Sequence, residues 1–107
     1  MTTLFDSDLV NSYVDIGVHT TETQFIVYHL KIKKELRGNR IGSSLIESIK
    51  QIATGLQVES VEVHIKGGSR SREFLESNDF DIIYIESEDE EGLVIGRWFT
   101  RYHTDDS

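Results

Sequence analysis

The sequence predicts a small α/β domain (α+β by some schemes), a mixed sheet with helices in the order ββαβαββ. Three observations predict it. Apolar residues alternate with polar ones in five separate segments, as in half-buried strands. Two further segments carry apolar residues at helical spacing. The chain has no proline, so the breaks between segments are read from Gly, Asn, Asp and Ser.

Residues 1–9 show no pattern. Over 10–19, Val14, Ile16 and Val18 alternate with Tyr13, Asp15, Gly17 and His19, which reads as a strand. Residues 20–23 turn the chain into a second strand, 24–33. Ile26, Tyr28, Leu30 and Ile32 are expected on one face of it, Phe25 and Val27 on the other. Apolar residues on both faces mark a central strand. After Gly38, residues Ile41, Leu45, Ile49, Ile52 and Ala53 recur at helical spacing, and Gly55 is placed to stop the helix. Val58, Val61, Val63 and Ile65 form a third strand, ending at Gly67-Gly68. Residues 69–77 make a short helix with Phe74 and Leu75 on its apolar side. Asn78-Asp79 ends it, since both residues tolerate the left-handed conformation. Strands at 81–86 and 93–102 are joined by Ser87-Glu-Asp-Glu-Glu-Gly92. Residues 103–107 read as a frayed tail on a single domain spanning 1–107.

Composition excludes several functions. No apolar run approaches the ~18 residues that a membrane span needs, and the N-terminus carries no signal-peptide pattern. The cytoplasm is the expected address. Without cysteine there are no disulfides and no thiolate nucleophiles. His19, His29, His64 and His103 lack metal-ligand spacing, so no metal site is expected. A net charge of −8 disfavours nucleic acid as a partner and favours cationic ones.

Against that acidity, Lys31, Lys33, Lys34, Arg37 and Arg40 crowd into ten residues, from a total of 11 Lys and Arg. They surround a strand end, a glycine-containing loop and a helix start. The first turn of a helix has unpaired N–H groups and a positive dipole end, and it can hold an anion. Glycine there lets backbone approach a phosphate.

Arg37-Gly-Asn-Arg-Ile-Gly-Ser43 resembles the coenzyme A loop of the GNAT acetyltransferase superfamily, Arg/Gln-x-x-Gly-x-Gly/Ala, with Arg40 in place of the middle glycine. Leu30-Lys-Ile32 resembles the Leu-x-Val that ends the family's fourth strand. Phe74-Leu-Glu-Ser-Asn-Asp-Phe80 is similar to the family's Phe-Tyr-Glu-Lys-x-Gly-Phe. The two matches stand in the right order, and the resemblance covers roughly residues 24–102. It implies a GNAT-like, mostly antiparallel mixed sheet and acetyl-CoA as cosubstrate. It also implies a cofactor site at Leu30, Lys31, Ile32, Arg37, Gly38, Asn39, Arg40, Ile41, Gly42 and Ser43.

The departures concern catalysis. Leu75 stands where the family often has an acid tyrosine, Asp79 where it has glycine, and Ile26 where it has a base glutamate. The family's first strand and first two helices have no counterpart in the sequence. Phe25, Val27 and Trp98 are therefore expected on an uncovered face, through which the chain would form a homodimer or meet a large partner. Trp98 reads equally as core. Tyr28 and His29, beside Leu30, are the candidate catalytic residues. They are expected on opposite faces, with Tyr28 favoured. Glu22 and the run Glu88-Asp-Glu-Glu91 can attract a cationic acceptor or simply be solvated.

The resemblance implies an enzyme that moves an acetyl group from acetyl-CoA to an amine, a small molecule or a protein lysine. The alternative is a degenerate GNAT domain, a non-catalytic protein-binding module that still holds coenzyme A.

Overall fold

The computed structural model describes residues 14–32 and 40–100. Strands β1 (Val14–Thr20) and β2 (Gln24–Ile32) come first. Helix α1 (Ile41–Leu56), strand β3 (Ser60–Lys66) and helix α2 (Gly68–Ser77) follow. Strands β4 (Asp81–Ile85) and β5 (Leu93–Phe99) close the order. Arg37, Gly38, Asn39 and His103 lie outside the described residues.

The five strands form one sheet in the order β1-β2-β3-β5-β4. The 16-residue α1 crosses over between β2 and β3, which makes that pair parallel. Short connections make β1–β2 and β4–β5 antiparallel, and β5 also pairs antiparallel with β3. The β1–β2 turn is fixed by Thr21, whose Oγ1 accepts hydrogen bonds from the N–H groups of Thr23 and Gln24 at 3.2 and 2.9 Å.

Both helices pack on one face of the sheet. Ile46, Val27, Val61, Val63, Leu75 and Val94 have no exposed surface. Each such side chain contributes about 1.5–3 kcal/mol by leaving water. The helices also touch each other. A Cβ on Gly42 of α1 would stand 3.0 Å from the Phe74 ring of α2. Lys50 of α1 donates to the Asn78 carbonyl at 2.6 Å, and its ammonium lies over Phe80 and Trp98.

Several expectations are corrected. The alternation along β2 breaks at Tyr28. Gly17 pairs with His29 and Val18 with Val27, so Tyr28 is an extra residue, a β-bulge. The bulge shifts the phase by one residue. Phe25, Val27 and Leu30 therefore share the helix-covered face, at 6%, 0% and 3% exposure. Tyr28 and His29 lie together on the other face. The Tyr28 ring covers Gly17, and His29 stands across from that glycine. The expected uncovered patch is thus core at Phe25 and Val27, and Trp98 is half-buried on the helix side. Gly55 does not stop α1, which runs to Leu56 and ends on Gln57 in the left-handed region, φ 63°. Of the pair expected to end α2, only Asp79 is left-handed, at φ 71°.

Candidate active site

The parallel pairing of β2 with β3 stops at Val27↔Val63. Both strands continue, to Ile32 and Lys66. Beyond Val27, β2 stays paired with β1 alone, and the sheet splits. The bulge at Tyr28 accounts for this locally, because a bulge bends its strand and increases its twist. Among the described residues, no strand pairs with the split-facing side of β2 after Val27, and such an edge can pair with an extended ligand.

A cavity of about 360 Å³ fills the split on the helix side. Leu30, Ile32, Ile65 and Phe74 give it apolar walls, and Lys31, Arg40, Arg70, Ser43 and Ser71 ring it. A second, polar cavity of about 520 Å³ adjoins it through Leu30, Lys31 and Arg70 and continues to His29, Lys66, Gly67, Glu90 and Glu91.

The first turn of α1 borders the apolar cavity at Gly42 and Ser43. Arg40 caps the helix in the left-handed conformation, φ 64°, with no side-chain hydrogen bond to the cap and no acidic residue in the first turn. Among the described residues, neither an acidic group nor a side-chain cap neutralises the positive end of this 16-residue helix, an end that favours an anion. The start of α2 is closed. Gly67 and Gly68 donate to the Gly92 carbonyl at 3.0 Å, and Ser69 donates to that of Glu88 at 3.3 Å. These bonds dock the acidic β4–β5 hairpin on α2, and Arg72 reinforces them through an ion pair with Glu88. Asn78 braces the α1 start from α2, donating to Ser43 Oγ at 3.3 Å and to the Phe74 carbonyl at 2.9 Å.

Charge is distributed to match. Lys50, Arg72 and Arg97 are ion-paired. Among the described residues, Lys31, Arg40, Lys66 and Arg70 have no carboxylate partner, and all four line the two cavities. In a chain of net charge −8, these four cations gather where the split opens.

The structure brings together Leu30, Lys31, Ile32, Arg40, Gly42 and Ser43 around one cavity, with Ile41 beginning α1 beside them. His29 borders the polar cavity and bonds Asp15 through Nε2 at 3.0 Å. Tyr28 is 58% exposed and turned over β1. Leu75 lies sealed in the core, beside Gly96, while its neighbour Phe74 lines the cavity. Glu22 sits in the exposed β1–β2 turn.

Sequence reasoning missed Ile65, Lys66, Arg70 and Ser71, whose place depends on the split. It also missed a cluster on the open face. Glu62 Oε1 accepts from His64 at 2.9 Å, and Oε2 accepts from Arg97 at 2.9 Å and from Gln24 at 3.3 Å. Burial pushes the Glu62 carboxyl up, but the hydrogen bonds and charges of His64 and Arg97 outweigh it and hold the group below its usual value. The spacing Glu62-x-His64 was a usable signal, because residues two apart on a strand share a face.

No family model matches the sequence, and no curated protein does. Solved structures do match. Ard1 of Thermoplasma volcanium has a TM-score of 0.64 at 13% identity, covering 79% of this chain and 61% of its own. The ribosomal-protein-S18-alanine N-acetyltransferase of Escherichia coli has a TM-score of 0.66 at 11% identity, covering 81% of this chain and 61% of its own. An aminoglycoside 6'-N-acetyltransferase solved with coenzyme A has a TM-score of 0.61 at 11% identity, covering 78% and 64%. The chain has the fold of the GNAT acetyltransferases. It spans less than two thirds of the length of each of these structures.

Proposed function

We propose that this chain is an acetyl-CoA-dependent N-acetyltransferase domain acting on a cationic amine. The observation that carries the reading is the split between β2 and β3, which opens onto the start of α1 and collects Lys31, Arg40, Lys66 and Arg70. The residues fit the coenzyme. Its pyrophosphate would rest on Ile41, Gly42 and Ser43, with Arg40 and, by resemblance, Arg37, Gly38 and Asn39. Its pantetheine arm would lie along β2 at Leu30, Lys31 and Ile32, between Ile65 and Phe74.

Acetyl-CoA supplies the activated acyl group; the domain supplies position. Glu90 and Glu91 stand on the polar cavity opposite the cations Lys31, Lys66 and Arg70; with the net charge of −8 they support an acceptor that carries positive charge, a polyamine or a protein lysine. Of the expected catalytic pair, His29 is better placed to touch that acceptor, since it borders the polar cavity.

A second reading has specific support. The position of the family's acid tyrosine is a sealed core leucine, Leu75, and that of its base glutamate is Ile26. A module that binds coenzyme A without turnover would show the same features.

One experiment separates the two. Acetyl-CoA at 100 times its dissociation constant should stabilise the domain by about 2.7 kcal/mol, read as a rise in melting temperature. Transfer to a panel of polyamines and lysine peptides, followed by mass spectrometry, then distinguishes enzyme from module. No thermal shift at millimolar acetyl-CoA would remove both readings.

A further inference from the structure

The cluster around Glu62 has a geometry that the binding of coenzyme A does not require. The side chains of Glu62, His64 and Arg97 are only 16%, 26% and 35% exposed. Glu62 is held as a carboxylate between them. A carboxylate only accepts hydrogen bonds. Nε2 of His64, 2.9 Å from Glu62 Oε1, therefore carries the ring proton. In the neutral ring that leaves the lone pair on Nδ1, and among the described residues no hydrogen bond occupies that nitrogen. That is the arrangement of a base oriented by an acid.

Its place is equally specific. β2 and β3 pair as far as Val27↔Val63, and His64 is the next residue of β3. The imidazole stands at the apex of the split, on the face opposite the helices. Leu30 and Ile65 line the same split from the helix side. On the same face as His64, Asp81 and Tyr84 of β4 lie beyond β5, paired with Arg97 and Ile95, Lys31 of β2 lines the cavities, and the groups nearer the split are differently engaged. Tyr28 lies over Gly17, and His29 borders the polar cavity with its Nε2 bound to Asp15. Arg97 on β5 is bound to Glu62. Lys66, further along β3, lines the polar cavity. Across from His64, β5 presents the apolar Ile95. Ile26, at the position of the family's glutamate, pairs directly with Glu62, so the carboxylate stands one strand away.

Resting on the acetyltransferase reading, we propose that His64 is the proton acceptor for the acceptor amine, with Glu62 as its positioning residue. The ammonium of the acceptor gives one proton to Nδ1. The freed nitrogen lone pair adds to the thioester carbonyl carbon, a C–N bond forms and the C–S bond breaks. The second N–H proton goes to the departing thiolate, and His64 releases its own proton to solvent. Arg97 and Gln24 hold Glu62 in place.

The test uses the full chain and its His64→Gln, Glu62→Gln and Glu62→Asp variants. Calorimetry measures acetyl-CoA binding. Thiol release from acetyl-CoA with spermidine and with lysine peptides is then followed across about pH 5 to 9, the range in which an imidazole changes charge. Acetyl-CoA binding should be equal in all four proteins. His64→Gln should lower thiol release by about 10²-fold or more and abolish the acid limb of the pH profile. Glu62→Gln should lower thiol release while retaining the limb, and Glu62→Asp should restore the rate toward the parent. A His64→Gln protein with the parent's rate and limb overturns the proposal. So does a parent that binds acetyl-CoA yet transfers to no amine, which leaves the domain a binding module. A parent that fails to bind acetyl-CoA overturns the acetyltransferase reading itself, and the role of His64 with it.

Discussion

Arg40 and Asp79 stand where the GNAT pattern carries glycine, and both have positive φ, 64° and 71°. The pattern's glycines are thus explained by backbone conformation as well as by room for a ligand. A residue with a Cβ in this region costs roughly 1–2 kcal/mol. Glycine would recover that, less about 0.5–1 kcal/mol for its freedom in the unfolded chain. Arg40→Gly and Asp79→Gly should each raise stability by a net of the order of 0.5–1 kcal/mol, measured by urea unfolding. Arg40→Gly should also weaken acetyl-CoA binding, because the guanidinium at the cavity rim is lost. Arg40→Ala separates the two effects. It keeps the strained conformation, so it should weaken binding without the gain in stability. Equal affinity in all three proteins would mean that Arg40 makes no contact with phosphate. The sequence shows which residues replace glycine; only φ shows that the replacements carry strain.

At the scale of elements, α1 contains two glycines with opposite roles. Gly42 is buried, and a Cβ there would come within 2.8 Å of Ile32 Cδ1 and 3.0 Å of the Phe74 ring. It is small so that α1, α2 and β2 can meet at the cavity. Gly42→Ala should push them apart and cost about 1–3 kcal/mol, the range for overpacking. Gly55 is exposed, with nothing within 4 Å of its added Cβ. Gly55→Ala should therefore stabilise by about 0.5–1 kcal/mol through helix propensity. Thermal melts of the two alanine variants moving in the same direction would contradict this account. The elements themselves were legible because periodicity is local: Ile41 to Ala53 at helical spacing, or Val61 and Val63 two apart, need no tertiary information. The bulge at Tyr28 was not legible, because it exists only relative to β1. Its consequences were hidden with it, namely the shared face of Tyr28 and His29, the burial of Phe25 beneath α1, and the split itself. The site was half legible for the same reason. The Leu30–Ser43 segment is contiguous in sequence, whereas Ile65, Arg70 and the Glu62–Arg97 pair meet it only across strands.

At the scale of the whole molecule, charge is segregated. The chain carries −8, yet Lys31, Arg40, Lys66 and Arg70 meet around the split without carboxylate partners among the described residues. Lys50, Arg72 and Arg97 are neutralised within the fold. A polyanionic coenzyme approaching at random meets repulsion from most of the surface and attraction at the cleft. Such focusing raises association rates when salt is low. The Debye length falls from about 10 Å at 0.1 M salt to about 3 Å at 1 M, so the long-range part should vanish while contacts inside the cavity persist. Acetyl-CoA association should therefore slow steeply with added salt, and dissociation should change little. Lys66→Gln and Arg70→Gln should flatten the salt dependence of association, and Arg72→Gln, whose charge is already answered by Glu88, should not. Stopped-flow binding at several ionic strengths measures this. A salt-independent association rate, or equal slopes for all three variants, would show that the cations at the split do not guide the ligand.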